Sequence, residues 1–78
     1  MPDTTHTARC TIRGRRFEVR RLPFLHASYD IGIDGWLIAN TTKPHMVVSI
    51  IREELRIANN LHSAPSLPKR FADAIESL

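Results

Sequence analysis

One cysteine, three glycines and five aromatic side chains in 78 residues exclude several kinds of protein at once. Cys10 has no second cysteine to bond, so a disulfide-stapled miniature fold is excluded and a reducing, cytoplasmic setting is expected. No apolar run approaches the roughly 18 residues of a membrane span, and Met1 to Arg9 has no apolar stretch that would read as a signal peptide. The four histidines stand at positions 6, 26, 45 and 62, far from the short paired spacings of a zinc site, so no metal is expected. The three glycines lie in strand and turn patterns and form no phosphate-cradling loop ahead of a helix, so no cofactor is expected either. Nor is there a nucleophile with a base in a recognisable arrangement. Cys10 falls mid-strand on an apolar side, and the expectation is a non-enzymatic protein with no catalytic residues.

What the chain does have is a lopsided charge. The net charge is +3, yet residues 1–22 alone carry +4, residues 23–42 carry −2 and residues 43–78 carry +1. Nine of the eleven basic residues are arginine, whose planar fork suits phosphates and carboxylates.

Residues 1–7 are polar and are expected to fray, leaving 8–78 as one domain. From Ala8 the pattern has period two: Ala8, Cys10 and Ile12 alternate with Arg9, Thr11 and Arg13, and the alternation resumes from Arg16 to Arg20. This predicts a β-hairpin. A type II′ turn at Gly14-Arg15 would set Ile12 across from Phe17 and Cys10 across from Val19, whereas the competing Arg13-Gly14 turn would pair Ile12 with Arg15 and Cys10 with Phe17, mixing the faces at the hairpin end, and is the weaker expectation. After Pro23 and the bridge Phe24 to Ala27, which carries His26, a second hairpin is predicted around Asp34-Gly35. A type I′ turn there would place Ile33 opposite Trp36 and Ile31 opposite Ile38, with Trp36 as core or edge packing.

Thr41-Thr42 can cap a helix whose first turn accepts Pro44 and which runs to about Asn60 or Leu61. Ser66-Leu67-Pro68 opens a last helix with Phe71, Ala74, Ile75 and Leu78 on one stripe. The expected fold is therefore α+β: a four-stranded antiparallel meander of two hairpins, a long helix packed on one face, and a short C-terminal helix.

Three features bear on function. On the first hairpin, Arg9, Thr11 and Arg13 share the face opposite the core with Arg16, Glu18 and Arg20. The II′ register would pair Arg13 with Arg16 and Arg9 with Arg20, an arrangement that costs stability unless an anionic partner uses it. Arg9, Arg13, Arg15, Arg16 and Arg20 are thus the candidate anion-binding or nucleic-acid-binding residues, although charged edge strands also serve simply to prevent aggregation. The face carries no aromatic interleaving, since Phe17 points to the core, so contact with duplex phosphates is expected over single-strand stacking. An arginine-bearing sheet backed by a helix is similar in layout to the amino-terminal domains of some phage integrases and to plant AP2 domains, an architectural likeness without a motif.

The second feature is helix 43–61. Met46, Val47, Ile50, Ile51, Leu55, Ile57, Ala58, Leu61 and His62 fill a wide arc, enough to meet a second surface, either the last helix or a second copy of the chain in a homodimer. Glu54 falls within that arc and needs a partner, with Arg21 or the Tyr29 hydroxyl as candidates, or else a place at an intermolecular seam. The third feature is a secondary basic patch of His45, Arg52 and Arg56 on the other side of the helix, with Glu53 able to relieve Arg56.

These features point first to a small binding module for nucleic acid or a nucleoprotein. The alternative is a compact protein-directed inhibitor or adaptor of the anti-CRISPR kind. A third reading is a small RNase-like toxin built on His45, Arg52 and Arg56.

Overall fold

A computed structural model describes residues 6–22 and 28–78. The segment bridging the two hairpins, with Pro23 and His26, and residues 1–5 of the expected flexible terminus lie outside the described residues. Four strands, β1 (His6–Ile12), β2 (Arg15–Leu22), β3 (Ser28–Ile33) and β4 (Trp36–Thr41), precede two helices, α1 (Pro44–Ala58) and α2 (Lys69–Glu76). The strands form one antiparallel sheet in the order β1-β2-β3-β4, the α+β meander that the alternating pattern predicts. β1 begins at His6, two residues ahead of the expected start, because His6 and Thr7 pair with Arg21 and Arg20.

The period-two pattern sorts the side chains onto two faces. Ala8, Phe17, Val19, Tyr29 and Ile31 are buried on one face, beneath Val47, Ile51 and Leu55 of α1 and Phe71 and Ile75 of α2. Cys10, Ile12, Ile33 and Ala39 are half-buried around that core. The opposite face is left uncovered by either helix.

The first hairpin departs from its expected register. Its turn residues are Arg13 and Gly14, both in the left-handed region at φ 51° and 78°, as a type I′ turn requires. Ile12 pairs with Arg15, Cys10 with Phe17 and Arg9 with Glu18, so the anticipated Arg13–Arg16 and Arg9–Arg20 pairs do not form. The two registers differ by an even slip, which keeps every side chain on its own face; hydrophobic patterning therefore cannot separate them. Charge can: the observed register replaces two like pairs with one opposite pair, a difference of up to about 1 kcal/mol for each pair. A left-handed Arg13 costs about 1–2 kcal/mol in return.

The second hairpin has its I′ turn at Asp34-Gly35, φ 52° and 87°, with Ile33 opposite Trp36 as expected. Beyond that pair a β-bulge intervenes. Gly32 pairs with Leu37 and Ile31 with Ala39, so Ile38 is the extra residue and does not face Ile31. Gly32 permits this close approach: a Cβ there would stand 3.3 Å from the Trp36 carbonyl oxygen. Trp36 is 78%, Leu37 65% and Ile38 38% exposed, so Trp36 does not take the core-packing role. The two turns are stitched together, since the Asp34 N–H donates to the Arg16 carbonyl at 2.8 Å and the Arg16 N–H donates to Asp34 Oδ1 at 2.9 Å.

α1 is capped at Lys43 instead of Thr41 or Thr42, with Pro44 in its first turn; the Thr41 hydroxyl accepts from the Lys43 N–H just outside the helix. It ends at Ala58, short of Leu61. Asn60 takes φ 52°, the Leu61 N–H donates to the Arg56 carbonyl and the Asn60 N–H to that of Ile57, which is a Schellman stop with asparagine in the left-handed position. The fully buried stripe is narrower than the predicted arc: Val47, Ile51 and Leu55 are covered, while Met46 and Ile57 are exposed. Pro68 caps α2, which buries Phe71 and Ile75 but leaves Ala74 exposed. No helix among the described residues is long and apolar enough to cross a membrane.

Candidate nucleic-acid interface

The register arranges the uncovered face as rows that cross the sheet. One row runs Thr7, Arg20, Asp30, Asn40; the next runs Arg9, Glu18, Gly32, Leu37; at the hairpin ends Thr11 faces Arg16. Of these residues Arg9, Thr11, Arg16, Glu18, Arg20, Asp30, Gly32 and Leu37 line a broad open depression of about 730 Å3. Strand geometry spaces the side chains of neighbouring rows by about 6.7 Å and puts Arg16 and Arg20, on the same face of β2, about 13 Å apart.

Glu18 organises the cations. Arg9 Nε donates to its Oε2 at 2.8 Å, and Arg20 donates to its Oε1 at 3.2 Å. The Arg9 hydrogen bond, the largest effect, together with the charges of Arg9 and Arg20, holds the Glu18 carboxyl below its ordinary value against a smaller opposing effect of burial. Asn40 donates to Asp30. Arg15 lies on the core-side parity at the hairpin end and approaches Asp34 Oδ2 at 3.5 Å, so it stands apart from the depression. Arg13 occupies the exposed turn. Among the described residues, Arg13 and Arg16 have no ion-pair partner, and Arg16 lines the depression.

The sequence thus identified arginines that share a neighbourhood but not how they are partnered. Of the five candidates, Arg9, Arg16 and Arg20 converge on the depression, Arg13 stands at the turn and Arg15 is tied to Asp34. The acids Glu18 and Asp30 and the apolar Leu37 complete the surface, while Trp36, opposite Ile33, takes the core-side parity at the hairpin end. Gly32 within a strand was the available signal for the irregularity beside this surface, because an interior strand glycine often marks a bulge.

The secondary patch is not assembled as a set of free cations. Arg52 donates from Nε to the Pro65 carbonyl at 2.9 Å and from a terminal nitrogen to the Ala64 carbonyl at 3.0 Å, tying α1 to the α1–α2 connection. Arg56 pairs with Glu53, whose carboxyl is lowered by that hydrogen bond while the Arg56 guanidinium is raised by it. His45 is exposed in the first turn of α1. Glu54 is half-buried and forms no ion pair or hydrogen bond with Arg21 or Tyr29, because only the Val47, Ile51, Leu55 stripe is pressed into the core. Arg21 instead holds its Nε buried with no hydrogen-bond partner. Among the described residues no group of three or more His, Cys, Asp or Glu is placed to hold a metal ion.

In comparisons with protein-family models, with curated proteins and with solved structures, nothing matches this chain.

Proposed function

We propose that this chain is a small non-enzymatic binding module that engages nucleic acid, free or within a nucleoprotein, through the uncovered face of its sheet. The observation that carries the reading is the depression lined by Arg9, Arg16 and Arg20, in which Arg16 has no acidic partner among the described residues, with Arg13 exposed at the adjoining turn. An unpaired guanidinium on an open concave surface is available to a phosphate without first breaking an internal ion pair. Arg9 and Arg20 share Glu18, so they are held in position while each keeps donors free. Titrating the protein with nucleic acid over a range of salt tests this. Affinity should fall steeply as salt rises, with Arg13→Ala and Arg16→Ala each lowering the log-log slope by about one or less. Binding that is absent at low salt, or indifferent to salt, would remove the reading.

The exposed apolar segment Trp36 to Ile38 on edge strand β4 favours a second reading, a protein-directed inhibitor or adaptor. That reading calls for a stoichiometric complex with a purified partner that persists at high salt and is lost in Leu37→Asp.

A further inference from the structure

We infer that this chain pairs with a second copy of itself along the free edge of β4, so that two four-stranded sheets join into one and the two α1 helices pack side by side above the seam. The inference goes beyond the nucleic-acid reading and does not rest on it.

The apolar side chains left in solvent are gathered at this edge. Among the described residues the large exposed hydrophobics are Trp36, Leu37 and Ile38 of β4 and Met46 and Ile57 of α1, and none belongs to β1, β2 or α2. β4 is also the less guarded edge of the sheet. Trp36–Thr41 has no charge and no proline to deter a neighbouring strand, whereas β1 at the other edge carries Arg9. Its bulge, a feature that can turn an edge away, inserts the apolar Ile38.

The helix identifies the occupant. At 100° per residue, Met46, Ile50 and Ile57 fall within about 40° of one another, on a flank of α1 about 120° from the buried line of Val47, Ile51 and Leu55. Arg52, tied to the connection that leads to α2, lies on the other flank. α1 packs on β3 and β4 and α2 packs on β1, so the stripe looks outward past β4. A foreign strand added to β4 would leave this stripe bare. A second copy covers it. Antiparallel strands about 4.8 Å apart pair about a two-fold axis perpendicular to the sheet, which places a helix seated over β3 and β4 about 10 Å from its mate, the usual separation of packed helices.

Trp36 fits the same axis. Opposite Ile33, it is turned to the helix side of the sheet, yet it is 78% exposed. Antiparallel pairing sets the Trp36 end of one β4 beside the Thr41 end of the other, where the other copy's α1 begins. The indole then lies against that first turn, which exposes Met46. β4 and α1 are each about 20 Å long, and a two-layer seam of that length approaches the roughly 800 Å2 per partner of a stable interface. Both arginine-bearing faces stand on the same side of the joined sheet.

Sedimentation velocity of the full chain from about 1 to about 200 µM tests this, with hydrogen exchange read at both ends of the range. The expected result is a concentration-dependent passage from monomer to dimer, with β4 amides exchanging about ten-fold or more slowly at the high concentration. Trp36→Lys and Ile57→Lys should each weaken dimerisation by about ten-fold or more. Both side chains are exposed, so at the low concentration each variant should unfold at the wild-type denaturant midpoint, which separates a lost interface from lost folding. Hydrogen exchange on the wild type needs no substitution. A chain that stays monomeric throughout, including one that captures a foreign protein instead, overturns the inference. So does a dimer that survives either substitution or leaves β4 exchange unchanged, and in each case the nucleic-acid reading stands or falls on its own titration.

Discussion

Arg9 stands directly across the first hairpin from Glu18, its Nε 2.8 Å from Oε2, where a Gly14-Arg15 turn would set it against Arg20. Arg20 reaches the other carboxylate oxygen from two residues along β2. The basic face is thus partly neutralised from within, and among the described residues Arg16 lines the depression without an ion-pair partner. Arginine count therefore overstates the positive potential of this surface, while the position of the unpaired guanidinium describes its binding capacity better.

Glu18→Gln removes the shared acceptor charge. The side chains involved are well exposed, so the expected loss of stability is under about 1 kcal/mol. Nucleic-acid affinity should rise at the same time, because the depression gains one unit of positive charge and frees two arginines. Urea unfolding and a salt-controlled binding titration measure the two effects. A fall in affinity with stability unchanged would show that Glu18 itself contacts the ligand.

The same carboxylate sets an acid-side dependence of stability. Its folded value lies below the ordinary 4.5, chiefly through the Arg9 hydrogen bond. Its stabilisation is therefore complete above about 4.5 and is lost as pH falls through the lowered folded value. Glu53, lowered by Arg56, acts in the same direction. Wild type and Glu18→Gln should differ in stability at neutral pH and converge under acid, a trend readable from unfolding midpoints across pH. A difference that stays constant well below the carboxylate range would contradict this account.

Arg13 sits at φ 51° in a type I′ turn, where asparagine is at less disadvantage than arginine. Arg13→Asn should stabilise the protein by about 0.5–1 kcal/mol, whereas Gly14→Ala, at φ 78°, should destabilise it by about 1 kcal/mol or more. Thermal unfolding of the two variants checks the turn assignment directly. A Gly14-Arg15 turn would make Arg13→Asn neutral or unfavourable.

Arg52 is expected to be structural. Its two donors to the carbonyls of Ala64 and Pro65 are charge-assisted and partly buried, so Arg52→Ala should cost about 1–3 kcal/mol in denaturant unfolding while leaving nucleic-acid binding unchanged. An Arg52→Ala protein of undiminished stability and weakened binding would return this residue to the interface.

Much of the architecture was legible in local pattern. The two hairpins, the two helices and the division of Ala8, Cys10, Phe17, Val19 and Ile31 from Arg9, Thr11, Arg16 and Glu18 all follow from side-chain period. The turn at Asp34-Gly35 and the acceptance of Pro44 in the first turn of α1 follow from backbone chemistry. The capping residue itself was misplaced, because Thr41 belongs to the end of β4 and its hydroxyl serves the Lys43 N–H before the helix begins.

The sequence by itself determined element order, sheet face and the presence of an arginine-rich hairpin, because each depends on neighbours along the chain. Tertiary structure decided which charges meet, where Arg52 is anchored, and that Trp36 stands in solvent. For the pairings across the sheet the physical reason is clear. A period of two is unchanged by an even slip of register, and a bulge is a property of two strands together, so pairings such as Arg9 with Glu18 and Gly32 with Leu37 are settled only when the whole sheet closes.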